Sequence, residues 1–187
     1  MKLKINIPTS LNDITIGQYQ RMHKLNESDL EGIALDNEIL KLFTGIENVG
    51  DISQKDRDSI LESIAKALIS DGKFNHRVNL GSLSLGMIPN FDRMSGDEYS
   101  DVIKYADNVE DLHRFMAVAY RPIKHKDFYK NYSIVKYTGT SELSEQMKEL
   151  PMAIVKGFNG FFLSLSNDSG AHIQRCTAEE RMKEIQL

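Results

Sequence analysis

The side chains best suited to covalent or acid–base chemistry in this chain are one thiol and five imidazoles, and their spacing decides whether they can act together. Cys176, the only cysteine, sits in Arg175-Cys176-Thr177 just ahead of a helix start, where a helix N-terminus can lower a thiol pKa and favour the nucleophilic thiolate. His172, four residues earlier, is the one base candidate near it. A half-buried thiol in the staple position before Thr177 accounts for the same residues without chemistry. His125-Lys126-Asp127 could hold a general base beside a carboxylate, but it follows Pro122 in a basic, polar run that reads as a surface loop. A small enzyme or host-factor inhibitor would need His125, Asp127 or Cys176 to converge in a concave pocket.

The remaining reactive residue types are spaced against catalysis. His23, His76, His113, His125 and His172 never form a His-x-x-x-His pair with further ligands close by, so no metal centre is expected. Gly81 and Gly86 lack the Lys-Ser/Thr of a phosphate loop, no G-x-G-x-x-G occurs, and no cofactor is expected. Asp97 with Glu98, and Glu179 with Glu180, fall in first helical turns, where carboxylates complement the macrodipole. No catalytic residue is assigned, and the chain is expected not to be an enzyme.

Composition sets the frame for what could position such groups. With 187 residues and 41% hydrophobic content, the chain can bury a core of ordinary size. Its 27 acidic against 23 basic residues give a formal charge of -4, and the densest basic cluster, Arg121 to Lys130, contains Asp127. A nucleic acid is therefore disfavoured as a broad-surface partner. A lone cysteine rules out an intramolecular disulfide, so stability must come from packing. No apolar run approaches the roughly 20 residues that span a bilayer, and no export signal is read at the start, so no membrane partner is expected.

The pattern predicts a mainly α fold with a small β element (α+β), a body of about seven or eight helices plus short strands. Leu3, Ile5 and Ile7 alternate with polar residues as a strand that Pro8 ends. Capping boxes predict helix starts at Thr15, with Ile14 and Tyr19 as a hydrophobic staple, and at Ser28. The Ser28 helix would present Ile33, Ile39, Leu40 and Phe43 on one face and end at Gly45. Ser53 opens a third helix, with Ile60, Leu61, Ile64, Ala65 and Leu68 inward, ending near Asp71-Gly72. Alternation over 74–80 and 83–87 predicts strands, with Gly81-Ser82 as either a hairpin turn or a bulge. A helix is expected over 109–120, broken ahead of Pro122, then a strand over 132–137 and a helix from Ser141 to Pro151. Thr177 opens a short charged helix at the end.

Residues 89–99 repeat the logic of 8–19: Pro89, Phe91, Met94, Ser95, Glu98 and Tyr99 answer Pro8, Leu11, Ile14, Thr15, Gln18 and Tyr19. Residues 1–187 are read as a single domain, either built of two similar halves, 1–72 and 73–187, or carrying helix starts that converge on the same chemistry. The most apolar stretch places Ile154, Val155, Phe158, Phe161, Phe162 and Leu165 at helical spacing, interrupted by Gly157 and Gly160. Each glycine costs roughly 1 kcal/mol there relative to Ala, which close approach of another backbone would offset. That stripe suits either a core or a subunit contact. The candidate protein-interface residues are Tyr120, Arg121, Phe158, Phe161 and Phe162, with Arg121 as an anchor beside aromatics.

Four stretches carry a family resemblance: Ile7-Pro8-Thr9-Ser10-Leu11-Asn12-Asp13-Ile14-Thr15-Ile16-Gly17-Gln18-Tyr19, Gly86-Met87-Ile88-Pro89-Asn90-Phe91-Asp92, Leu112 to Ile123, and Leu150-Pro151-Met152-Ala153 through Phe161-Phe162. Together they resemble small proteins encoded among the structural genes of tailed bacteriophages, including phages of gut Bacteroidetes. The resemblance covers residues 5–165 and rests on helix starts and apolar turns. It implies a role in building the particle, as a homo-oligomeric ring or connector at the head–tail junction or as another virion protein, in contact with portal, ring or tail proteins and present in the virion after assembly in the host cytoplasm. The alternative it implies is a tail assembly chaperone, confined to the host cytoplasm and absent from the finished particle.

Overall fold

A computed structural model of the chain describes residues 6–128 and 131–160. Helices dominate: α1 Ile16–Asn26, α2 Gly32–Thr44, α3 Gln54–Ile69, α4 Gly96–Ala106, α5 Leu112–Ala119, α6 Ser144–Met147, and a last helix, α7, over 152–160. The strands β1 Arg77–Leu80, β2 Leu83–Met87, β3 Tyr120–Lys126 and β4 Tyr132–Ile134 form one antiparallel sheet in sequence order. The mainly α architecture with a small β element is as the sequence predicts. Of the strand expected at 3–7, only residues 6 and 7 are described, and neither is in a strand. The helix at Thr177, together with Cys176, His172 and Leu165, lies outside the described residues.

Local chemistry explains the helix starts. Thr15 Oγ1 accepts from Gln18 N–H and Gln18 Oε1 accepts from Thr15 N–H. The other two amide donors at this end are answered from far along the chain: Ile16 N–H reaches Leu150 O at 2.9 Å and Gly17 N–H reaches Lys148 O at 2.8 Å. All four donors that a helix N-terminus leaves open are thus used. Met152 N–H returns a bond to Ile14 O at 2.8 Å, and Thr15 bridges Pro151. Ser95 and Glu98 repeat the reciprocal box at α4. Both copies carry a 3-10 turn before the box, Leu11–Asp13 and Phe91–Arg93, and both open helices of 11 residues.

Several expectations are corrected. Ser28 does not cap α2: its hydroxyl donates to Leu25 O at 2.6 Å, closing α1, and α2 begins at Gly32 behind Glu31, which makes no side-chain cap. Ile33, expected inward, is 74% exposed, whereas Leu40 and Phe43 are buried. In α3 it is Ala67, not Ala65, that is buried with Ile60 and Ile64. Arg57 is buried beside them, donating to Val49 O and Asn37 Oδ1. The 109–120 helix divides into a 3-10 turn, Val109–Asp111, and α5. The run after Pro122 is strand β3, not a loop. Ala119 ends α5 and Tyr120 is already extended, so helix passes into strand with no connection between them. The expected helix from Ser141 shrinks to the single turn of α6, and the strand at 132–137 to three residues.

Gly81 resolves the choice between turn and bulge. It holds φ +56°, a conformation glycine adopts at no steric cost, and Leu80 pairs with Leu83 across a two-residue hairpin. The core is continuous from Leu11 to Phe158 and draws on both halves of the chain. α5 lies at its centre, with every residue but Arg114 buried. At one point backbones touch: a methyl group on Gly157 would lie 2.5 Å from Phe74 N and 2.6 Å from Lys73 O, and one on Gly72 2.6 Å from Ala153 O. The close approach expected at Gly157 is present, made by the chain's own 72–74 segment.

Candidate functional site

The candidate interface residues resolve into two groups. Tyr120, Arg121 and Phe158 are 0%, 8% and 1% exposed, so within this chain they are buried. Phe158 lies among Phe115, Tyr120 and Phe91, with ring centroids 5.6, 5.7 and 6.4 Å away. Tyr120 resolves its buried hydroxyl by donating to Asn75 O at 2.6 Å. The apolar stripe therefore turns inward where it is described, at Ile154, Val155 and Phe158. Phe161 and Phe162 lie outside the described residues.

Arg121 is the hub of a buried polar chain. Its Nη2 lies 2.6 Å from Glu98 Oε1, and its guanidinium sits over the Tyr137 ring, 5.6 Å from the centroid. Glu98 uses its other oxygen to accept from Ser95 N–H at 2.6 Å, so one carboxylate both caps α4 and neutralises β3. The Tyr137 hydroxyl donates to Asp101 on the same helix. The link from sheet to α4 thus runs through four side chains and fixes the helix against rotation.

This chain of contacts has a pH consequence. Burial, reinforced by the neighbouring Tyr132, pushes the Tyr120 hydroxyl well above its ordinary 10.0. Burial, then the bond to Asp101 and its charge, does the same for Tyr137. Both raise the folded-state value above the unfolded one, so their contribution is complete below pH 10.0 and is lost as pH rises beyond it. Denaturant unfolding should show stability falling above about pH 10, with a shallower fall in Tyr137→Phe.

On the α4 surface turned away from this network two large apolar side chains stand among the exposed Asp97, Ser100 and Lys104. Tyr99 is 62% exposed and Ile103, one turn on, 60%. The corresponding Tyr19 of the first copy packs against the core. The same local motif is covered in one half and bare in the other, a difference that repetition of sequence type could not reveal. Phe128, at the tip beyond β3, is likewise exposed.

Of the residues that could build an enzyme, His125 and Asp127 are described and Cys176 is not. Asp127 spends both carboxylate oxygens on Asn131, accepting from its backbone N–H and its side-chain amide at 2.8 Å, which shapes the β3–β4 tip. Lys126 Nζ donates to Ser84 Oγ. His125 is exposed on β3. Among the described residues no group of three or more His, Cys, Asp or Glu side chains could hold a metal ion, and no helix is long and apolar enough to cross a membrane. No family model, curated protein or solved structure matches the chain.

Proposed function

We propose that this chain is a non-enzymatic virion or morphogenesis subunit of a tailed bacteriophage, a ring or connector component at the head–tail junction that acts through protein–protein contacts. The observation that carries the reading is the bare Tyr99–Ile103 ridge on α4, held rigid from behind by the Glu98–Arg121 pair. Residues one helical turn apart present a single apolar surface. Covering both on association would contribute roughly 2 to 4 kcal/mol, a useful anchor for a contact repeated around a ring. The resemblance to phage structural-region proteins supplies the context, with portal, ring or tail proteins and further copies of the chain as partners.

The test is the mass of the purified protein by light scattering over a range of concentrations, alone and with candidate portal and tail proteins. A defined oligomer or co-assembly is expected, reduced at least about tenfold in association by the double variant Tyr99→Ser/Ile103→Ser. Because both side chains are exposed, the variant's melting temperature should stay within a few degrees of the parent. A persistent monomer that binds none of these proteins would overturn the reading. Mass spectrometry of purified virions separates a resident subunit from a tail assembly chaperone, which would be missing from them.

A further inference from the structure

A second surface, remote in character from the apolar ridge, is charged and concave. A cleft of about 410 Å³ opens between α1, the α5 start and α6. His113 lines it, although the residue as a whole is only 6% exposed. The tautomer of its ring is set by Gln20, whose Nε2 lies 2.8 Å from the carbonyl oxygens of Val109 and Glu110 and 3.0 Å from His113 Nδ1. Turning the Gln20 amide over would point its oxygen at two carbonyls, so nitrogen must face them, and Nδ1, facing an amide nitrogen that cannot accept, carries no hydrogen itself. The imidazole hydrogen is therefore on Nε2, since the bond to Gln20 is made at Nδ1.

Around that donor the charges are unequal. From α1 come Arg21 and Lys24, from α5 Arg114, and from the turn after α6 Lys148. Three carboxylates oppose them: Glu110 pairs with Lys24 at 2.9 Å, Asp111 with Arg114 at 2.9 Å, and Glu145 with Lys148 at 2.8 Å. Arg21 has no such partner among the described residues, and it is exposed at the cleft. Glu110 and Glu145 are more than half exposed, so their pairs are weak and free to exchange.

We propose that this cleft binds a small phosphate-class oxyanion, with the His113 Nε2–H and the Arg21 guanidinium as its principal donors. Donors arriving from two helices surround a tetrahedral anion better than a planar carboxylate, and displacing Glu145 would free the Lys148 ammonium, in the turn after α6, as a third. The volume suits a compact ligand, and the chain's net charge of -4 gives no basic stripe to follow a nucleic-acid backbone. Burial first, then the positive charges of Lys148 and Arg114, holds His113 below its ordinary pKa, against the smaller pull of Glu145 and Asp111. A bound anion opposes the positive charges and raises it.

The experiment is an NMR titration of the His113 ring resonances in the intact protein with inorganic phosphate, and separately with a short DNA duplex. Saturable shifts at about millimolar phosphate are expected, with His113 ionising at higher pH in saturating phosphate than without it. Arg21→Gln, at an exposed position, should leave the circular dichroism spectrum unchanged and weaken phosphate at least about tenfold. No saturable shift, a shift that Arg21→Gln leaves unaltered, or a response to DNA but not to phosphate would each overturn the proposal.

Discussion

Arg121→Ala is expected to destabilise the protein by about 3 to 5 kcal/mol, the range for removing one partner of a buried ion pair and stranding the other. The stranded group would be Glu98, whose side chain is 9% exposed and whose remaining contact is the Ser95 cap. Chemical denaturation at neutral pH measures the loss. The double variant Arg121→Met/Glu98→Gln should recover much of it, because no bare charge is then left inside. Among the described residues Arg121 Nε is buried without a partner, so these residues do not fully compensate the pair and an apolar substitute has less to match. A single Arg121 variant as stable as the parent would show that α4 is held by packing alone.

Gly157→Ala is the second large effect, at about 3 kcal/mol. The new methyl would meet backbone, which cannot swing aside as a side-chain end does. Gly72→Ala strikes the same contact from the opposite side, since its methyl would lie 2.6 Å from Gly157 N. The pair should therefore be less costly together than the sum of the two singles. Gly96→Ala is the control: nothing lies within 4 Å of the added group, and unfolding midpoints should be unchanged or raised. Equal losses at positions 96 and 157 would refute the close-approach explanation.

What the sequence discloses here follows how far each determinant reaches. Thr15, Ser53 and Ser95 are readable helix starts because a cap and its target are three residues apart. Ser28 misleads because the same hydroxyl can serve the helix behind it as well as the one ahead. Strand β3 is hidden because its partners are distant, β2 before α4 and β4 beyond the tip, and because Pro122 argues locally against a strand. The inward turn of Tyr120 and Phe158 is invisible for a related reason, since an apolar stripe shows that something covers it but not what does. Tyr99 is the converse case. It sits in a motif whose twin is covered, and only the packing of the whole chain shows that its own position is bare.

The amide donors of α1 have a consequence for how the chain is made. Ile16 and Gly17 wait for acceptors at Leu150 and Lys148, so the first helix cannot be finished at its leading end until those residues have left the ribosome. At synthesis rates of roughly 5 to 20 residues per second, that interval is on the order of ten seconds. Closing so large a loop is a high-contact-order event, and it places the decisive step of folding late in translation. A nascent chain stopped short of residue 148 would carry an α1 with two open donors and an uncovered α5, a species for chaperones to hold rather than a smaller version of the native protein.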